Sequence, residues 1–391
     1  MKPSYSSTDF IKTATNVAEN FGFYPLHTLA ANPACRKCET SVSHTASAKD
    51  KRKDNLYGLL ANGASVYCEQ QLHGFNGPVF AYSIDSVPRT NEVAINYQVY
   101  NVPKSIAEAV LIQSLGALVS ELGHADHCVR INSLGDTDSL TRFHRELTTF
   151  LRKRIEYLPP NARELMKEHP YLALLHLIEK DHELSYKAPN SLEYLSDISR
   201  KHFREIIEYL DMSDTPYEID PRLLGHHECY SDAMFSFDIF DDGAPTVNEL
   251  EIHGGRYDTF MRQHVRQPVP AVGALAILRT KPAPARIPKA KRRSPKVYVV
   301  QLGFGPKIRT LMLVDELRRA GITVEQNLAS DSLSEQLRDA ESRESPYTII
   351  IGQKEYVEGT AILRDMKARN QETIGQDKLI KRLKRSTVVA A

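Results

Sequence analysis

The sequence predicts a chain of mixed helix and strand in two parts, the second of them an α/β unit. Three observations carry this reading. Helical periodicity dominates up to residue 212, strand-like runs take over from 217, and strand and helix alternate beyond a basic, proline-rich stretch at 281–296. At ~100–200 residues per domain, 391 residues suit two or three domains.

Residues 8–22 place Phe10, Ile11, Ala14, Val17, Ala18 and Phe21 at helical spacing, with Thr8 or Asp9 as the cap. Residues 31–55 are polar and basic and read as an exposed loop. A helix at 105–122 is closed by Gly123, and 128–133 reads as a strand. Helices follow at 138–155 and 188–212, the latter ending before Pro216. From 217, EIDPRLL, AMFSFDIF and VNELEIH alternate or run apolar between Gly, Asp and Pro turns, and AVGALAIL (271–278) is a short apolar run. The stretch 281–296 holds four prolines, seven Lys or Arg and no acid. That is the composition of an exposed tether, and its charge equally suits contact with RNA phosphates. Beyond it come strand KVYVVQLG, helix 305–320, strand ITVEQNL, helix SLSEQLRDAESR and strand YTIIIG, then a short basic helix at 378–385. Two βα units feeding a third strand predict a parallel or mixed sheet with helices on its faces.

Composition bounds the function. With 41% hydrophobic and 25% charged residues, disorder is excluded for most of the chain. A net charge of +1 excludes a uniformly basic nucleic-acid surface but leaves local basic patches open. No apolar run approaches ~18 residues, which predicts no membrane span, and the N-terminus lacks an apolar signal core, so a cytoplasmic protein is expected. Five cysteines, an odd and sparse set, predict no disulfide framework. Cys35 and Cys38 have metal-like spacing, but a zinc site needs four ligands and only His44 or Cys68 could add to them, so free thiols and no metal are expected. His226 and His227 are adjacent. On a strand they would point to opposite faces, so packing or surface hydrogen bonding is expected of them and of Glu228.

Six stretches carry a family signal in sequence order: INSLGD (131–136), PYEIDPRLL (216–224), HGGRYDTF (253–260), PAVGALAI (270–277), VYVVQLG (297–303) and DELRRAGI (315–322). Together they resemble histidyl-tRNA synthetase over roughly residues 75–391, and the last hundred residues resemble its anticodon-binding domain. The resemblance implies an α+β class II aminoacyl-tRNA synthetase-like core, an antiparallel sheet with flanking helices. A C-terminal α/β anticodon-binding-like domain and a homodimer are implied with it. The implied division is 1–280 for the core, with a helical insertion at about 138–212, a linker at 281–296 and the C-terminal domain at 297–391.

Amino-acid activation gathers negative charge on the α-phosphate of ATP, which fixed guanidinium groups must meet. The family places arginines for this in three motifs. The matching positions here are Ala81 in GPVFAYS, Gly225 in GHHECY and Thr280 after PAVGALAILR, with Arg279 one residue early. The glutamate position of the first of these motifs is Ser83, and the family's glutamate for the substrate amino group falls at Tyr100. Arg89 is nearby as a possible substitute. Upstream, Leu59 to Ala64 lack the family's arginine and glutamate. Removing one well-placed donor of this kind costs ~10²–10³ in rate. The resemblance therefore implies no catalytic residues and no cofactor. What it leaves is a residual small-molecule pocket of Tyr230, Gly254, Gly255, Arg256 and Tyr257, or a purely structural turn in which Arg256 pairs with Asp258.

The function expected is a catalytically inactive, diverged paralogue acting as an RNA-binding (tRNA-binding) or regulatory module. RNA contacts are expected from Lys291, Arg292 and Arg293, with Phe304 stacking on a base and Lys307 and Arg309 on phosphate. One alternative is an active histidine–tRNA ligase using ATP and Mg. Another is a regulatory subunit similar to the synthetase-like subunit of ATP phosphoribosyltransferase, a family that normally lacks the anticodon-binding domain.

Overall fold

The structure is a computed structural model that describes residues 5–29, 67–68, 70, 72, 77–86, 92–124, 126–225, 230–241, 244–245, 250–265, 268–279, 296–328 and 330–389. Helix α1 (Ser7–Asn20) is capped by Ser6, whose Oγ accepts from the Asp9 amide at 3.1 Å while Asp9 accepts from the Ser6 amide at 3.1 Å. This corrects the expected cap at Thr8 or Asp9: the carboxylate sits three residues into the helix and reciprocates.

Among the described residues, the larger sheet is built on a run of antiparallel strands. Its order is β2 (Val79–Ser86), β3 (Val93–Tyr100), β9 (Ala271–Leu278), β8 (Leu250–Arg256), β6 (Ala233–Asp241) and β4 (Asp126–Ser133). Two short strands, β1 (Tyr24–Pro25) and β5 (Tyr217–Ile219), extend it in parallel at the two ends, and β7 (Ala244–Pro245) pairs with β6. Helix α2 (Ile106–Glu121) lies on one face. It is apolar nearly all round, the pattern of a helix buried between layers. Val93, Ile95, Tyr97 and Val99 of β3 point to that face with Val272, Ala274 and Ala276 of β9, and alternate residues point to the other.

Between β4 and β5 the chain forms a helical layer. Helix α3 (Thr137–Arg152) is capped by Asp136. Helices α4 (Pro160–Glu168) and α5 (Pro170–Glu179) each begin on a proline, which fits a first turn whose N–H has no partner. A short α6 (Glu183–Tyr186) follows, and Ser196 caps α7 (Asp197–Met212). The helix expected over 188–212 thus starts later, after a 3₁₀ turn at Ser191–Tyr194. EIDPRLL is a strand only to Ile219, because Asp220 turns to bind Arg130 and Pro221 has no N–H for the ladder. Helix α8 (Asp258–Val265) links β8 to β9.

The C-terminal sheet has the order β11 (Val324–Gln326), β10 (Val297–Gln301), β12 (Tyr347–Ile351), β13 (Thr360–Asp365), β14 (Gln371–Gly375). The first three strands are parallel and the last two antiparallel, the mixed sheet expected. Its helices are α9 (Phe304–Arg319), α10 (Leu333–Ser342), α11 (Gln353–Glu358) and α12 (Gln376–Val389).

The two parts share one apolar cluster, running from α1 and α2 to α9 and β10. Polar ties fix the seam. Arg318 of α9 binds Glu121 of α2, Lys104 and Lys307 converge on Asp331, and Arg343 reaches the hydroxyl of Tyr24. Leu115 lies fully buried in α2 at the centre of this cluster. Leu115→Ala should lower the unfolding free energy by about 2–5 kcal/mol, read from urea denaturation.

Candidate functional site

Of the motif residues, Ala81, Ser83, Tyr100 and Gly255 fall on the sheet face away from α2, and strand register lays the positions of this face out in rows. Ala81 is opposite Gln98, Gln98 opposite Gly273, and Gly273 opposite Gly255. One step along, Ser83, Asn96, Leu275 and His253 form the next row. A phosphate clamp on this face would need cationic side chains reaching out of it. Ala81 is instead 0% exposed, under a cluster that contains Leu26, Tyr67, Tyr100, Tyr257, Phe260 and Met261.

The polar side chains of these rows have partners on the same face: Ser83 donates to Asp85, and His253 meets Glu251. The Tyr257 hydroxyl donates to Gln98 Oε1, and Gln98 Nε2 donates to Asn96 at 2.5 Å. Gln98 has room because residue 273 is glycine: a Cβ there would lie 2.5 Å from its Oε1. Tyr100 is buried against Tyr67, with ring centroids 4.8 Å apart. Burial pushes the Tyr67 hydroxyl up to about 12, so it stays protonated at neutral pH. The position expected for the family's amino-group carboxylate is thus a buried tyrosine here.

Tyr230 is held by two glycines. A Cβ on Gly225 would lie 2.2 Å from its ring, and one on Gly255 would lie 2.7 Å from it. The ring fills the space that a side chain at 225 would need. Gly225 is anchored besides, its carbonyl accepting from the Tyr171 hydroxyl at 3.0 Å. Gly254 is equally packed, its missing Cβ facing Phe235 and Ala274.

Arg256, expected either in a residual pocket or in a turn paired with Asp258, is placed in the core. It is 2% exposed and points to the α2 face. Its Nε donates to Glu108 Oε1 at 2.7 Å and its Nη2 to Glu108 Oε2 at 2.9 Å, while Asp258 is a longer partner at 3.4 Å. Burial pushes the Glu108 carboxyl up, but Arg256 and His202 outweigh it and hold it at about 2. Glu108 carried a sequence signal that went unread, an acid inside the apolar run of 105–122.

Arg279, one residue short of the motif position, directly follows strand β9. It binds Glu251 instead, which also accepts from His253 at 2.6 Å. With Arg130, Ser236 and Asp238 these residues line a cleft of about 500 Å³ over β4, β6 and β8. Arg130 is bound to Asp220. The cationic groups of the cleft thus face carboxylates already present.

The expected RNA contacts of α9 are also placed differently. The Lys307 side chain is 8% exposed and bound to Asp331. Arg309 binds Glu316 at 2.6 Å and Gln376. Phe304 is 41% exposed, but one side of its ring lies on Tyr209 of α7, with centroids 5.0 Å apart. The two cations thus meet polar groups of the protein, and one face of the Phe304 ring lies on α7, as a result of the docking of α9. Thr280, Arg89, Lys291, Arg292, Arg293, residues 59–64, the Cys35–Cys38 pair and residues 226–229 lie outside the described residues. Among the described residues, no group of three or more His, Cys, Asp or Glu is placed to hold a metal ion, and no helix is long and apolar enough to cross a membrane.

An antiparallel sheet with flanking helices, joined to an α/β domain, defines the class II aminoacyl-tRNA synthetase architecture with a C-terminal domain. Residues 296–386 match the anticodon binding domain family. The chain is 31% identical over 324 residues to the histidine–tRNA ligase of Geobacillus thermodenitrificans, covering 82% of this chain and 74% of the relative. It is 28% identical over 321 residues to that of Fervidobacterium nodosum, covering 80% and 73%. The chain belongs to the histidyl-tRNA synthetase family. The apo crystal structure of S. aureus histidyl-tRNA synthetase superposes with a TM-score of 0.46 at 19% identity, over 83% of this chain and 82% of that one.

The buried ion pair gives a pH signature. A carboxyl held below its ordinary value stabilises the fold above the unfolded value near 4.5, and the effect is lost as pH falls towards about 2. Glu108→Gln should cost about 3–5 kcal/mol at pH 7, because it leaves the buried Arg256 with only its longer contact to the Asp258 carboxylate. The deficit relative to wild type should shrink between pH 4.5 and 2, measured by chemical denaturation at each pH.

Proposed function

We propose that this chain is a catalytically inactive member of the family, retained as an RNA-binding, foremost tRNA-binding, or regulatory module. One observation carries the reading: the ring of Tyr230 fills the space beside Gly225, where the family's arginine would stand, and the neighbouring arginine position, Ala81, is sealed under an apolar cluster. A guanidinium restored at 225 has no room unless Tyr230 moves. No bound cofactor is needed in this reading, and a cytoplasmic homodimer built through the synthetase-like core belongs to it. An active ligase would require ATP and Mg to enter a face whose polar groups are already mutually bound. The match of 296–386 to an anticodon binding domain weighs against a phosphoribosyltransferase regulatory subunit.

RNA contact is carried by other residues than α9 offers. On α12, Leu379 and Leu383 are buried while Lys378, Lys381, Arg382, Lys384 and Arg385 are exposed, so the helix turns a basic face outward. Arg382 is bridged to Glu372 at 2.8 Å, and the lysines flank it. The relatives named as histidine–tRNA ligases support tRNA as the partner.

Purified protein should show no histidine-dependent ATP–pyrophosphate exchange, and Gly225→Arg should not restore it; exchange that is lost on mutation of Tyr257 would establish the ligase instead. Replacing Lys378, Lys381 and Lys384 together with Ala should weaken tRNA binding by the full-length protein. If all three contact phosphates, the salt slope should fall by about 2, at roughly 0.7 per contact. Unchanged affinity and slope would assign the domain to a protein partner.

A further inference from the structure

We propose that His202, Glu108 and Arg256 form a proton-sensitive tie that holds helix α7 against the sheet and, through Tyr209, sets its seam with the C-terminal domain. The tie closes around one carboxylate. Glu108 Oε1 accepts from Arg256 Nε at 2.7 Å and lies 2.8 Å from His202 Nε2, and Oε2 accepts from Arg256 Nη2 at 2.9 Å. Three elements distant in sequence meet there: α2, β8 and α7.

The charged groups around His202 come from every element packed on it. Glu108 faces it from α2, Arg256 from β8, and Asp232 from the segment leading into β6, with Asp258 of α8 behind Arg256. On α7 itself, Ser199, one turn earlier, donates to Asp232 at 2.9 Å. Glu205, one turn later, accepts from Ser105 at 2.6 Å. The stripe Ser199, His202, Glu205 is therefore the polar edge of α7, and Phe203, Ile206, Tyr209 and Leu210 form its buried apolar edge. Protonated His202 and Arg256 together oppose the three carboxylates of Glu108, Asp232 and Asp258. Without the proton, Arg256 alone opposes them, and a buried surplus of like charge is costly.

Burial alone would push the imidazole down, but Glu108 and Asp232 outweigh burial and the repulsion of Arg256, and the net shift is upward from 6.5. A histidine raised in the folded state stabilises fully below its unfolded value and loses that effect as pH rises through the raised one. The tie is thus closed in mild acid and slackens towards alkaline pH. Its output is structural, since Tyr209, two turns along α7, carries the ring of Phe304.

The experiment is an NMR titration of the His202 ring in the full-length protein, with amide hydrogen exchange of α7 corrected for intrinsic rates. The wild-type ring should titrate above 6.5, and Glu108→Gln should move its midpoint down. Protection of α7 should fall several-fold from pH 6 to pH 9 relative to strand β10. His202→Gln, which keeps an amide donor without the charge, should fold and abolish that pH dependence. A midpoint at or below 6.5, pH-independent protection in the wild type, or the same pH dependence in His202→Gln would each overturn the proposal. If Glu108→Gln fails to fold, the exchange comparison with His202→Gln decides alone.

Discussion

The carboxylate of Glu108 is the constraint on which much of the core depends. A buried arginine is tolerable only when its charge and its N–H donors are met, and Glu108 meets Arg256 through both oxygens. That pairing fixes the rotation of α2, because Glu108 must face β8. It fixes the strand parity of β8 as well, since Arg256 must point to α2. Gly255 then points to the opposite face, where its missing side chain leaves room for Tyr230. One ion pair on the inner face and one aromatic plug on the outer face are thus consequences of the same register.

The outer face is packed as a core over much of its area. A phosphate-binding face must keep cations solvated and aimed at open volume. Here Ala81, Ala94, Leu275 and Ile277 join the tyrosines in one apolar cluster, and the amides of Gln98 and Asn96 are bound to each other. Ala81 offers no donor, and the packing over it leaves no open volume at that point. The open part of the face lies over β4, β6 and β8, where each arginine already has a carboxylate partner.

The C-terminal domain follows the same logic at its seam. Helix α9 spends Lys307 and Arg318 on carboxylates at the contact with α2, and these groups cannot also track a nucleic-acid backbone without undoing the seam. The basic face of α12 lies on exposed helix surface away from that seam, with Arg382 bridged to Glu372. The division of labour is set by which helix docks.

The sequence by itself determined the helices α1, α2, α3 and α9, the strands around AMFSFDIF and AVGALAIL, and the βαβαβ order of the C-terminal part. These rest on periodicity and turn residues within a few positions of each other. What only the tertiary structure decided is where side chains go once distant elements meet. Arg256 could have faced a pocket or the core, and the choice is made by Glu108, 148 residues away in the chain. Lys307 read as a free cation until Asp331 and the docking of α9 claimed it. The packing of Tyr230 is invisible to local reading, since its room is set by glycines on two separate segments. Long-range pairing of charge and volume depends on register and docking, and neither is written in the spacing of neighbouring residues.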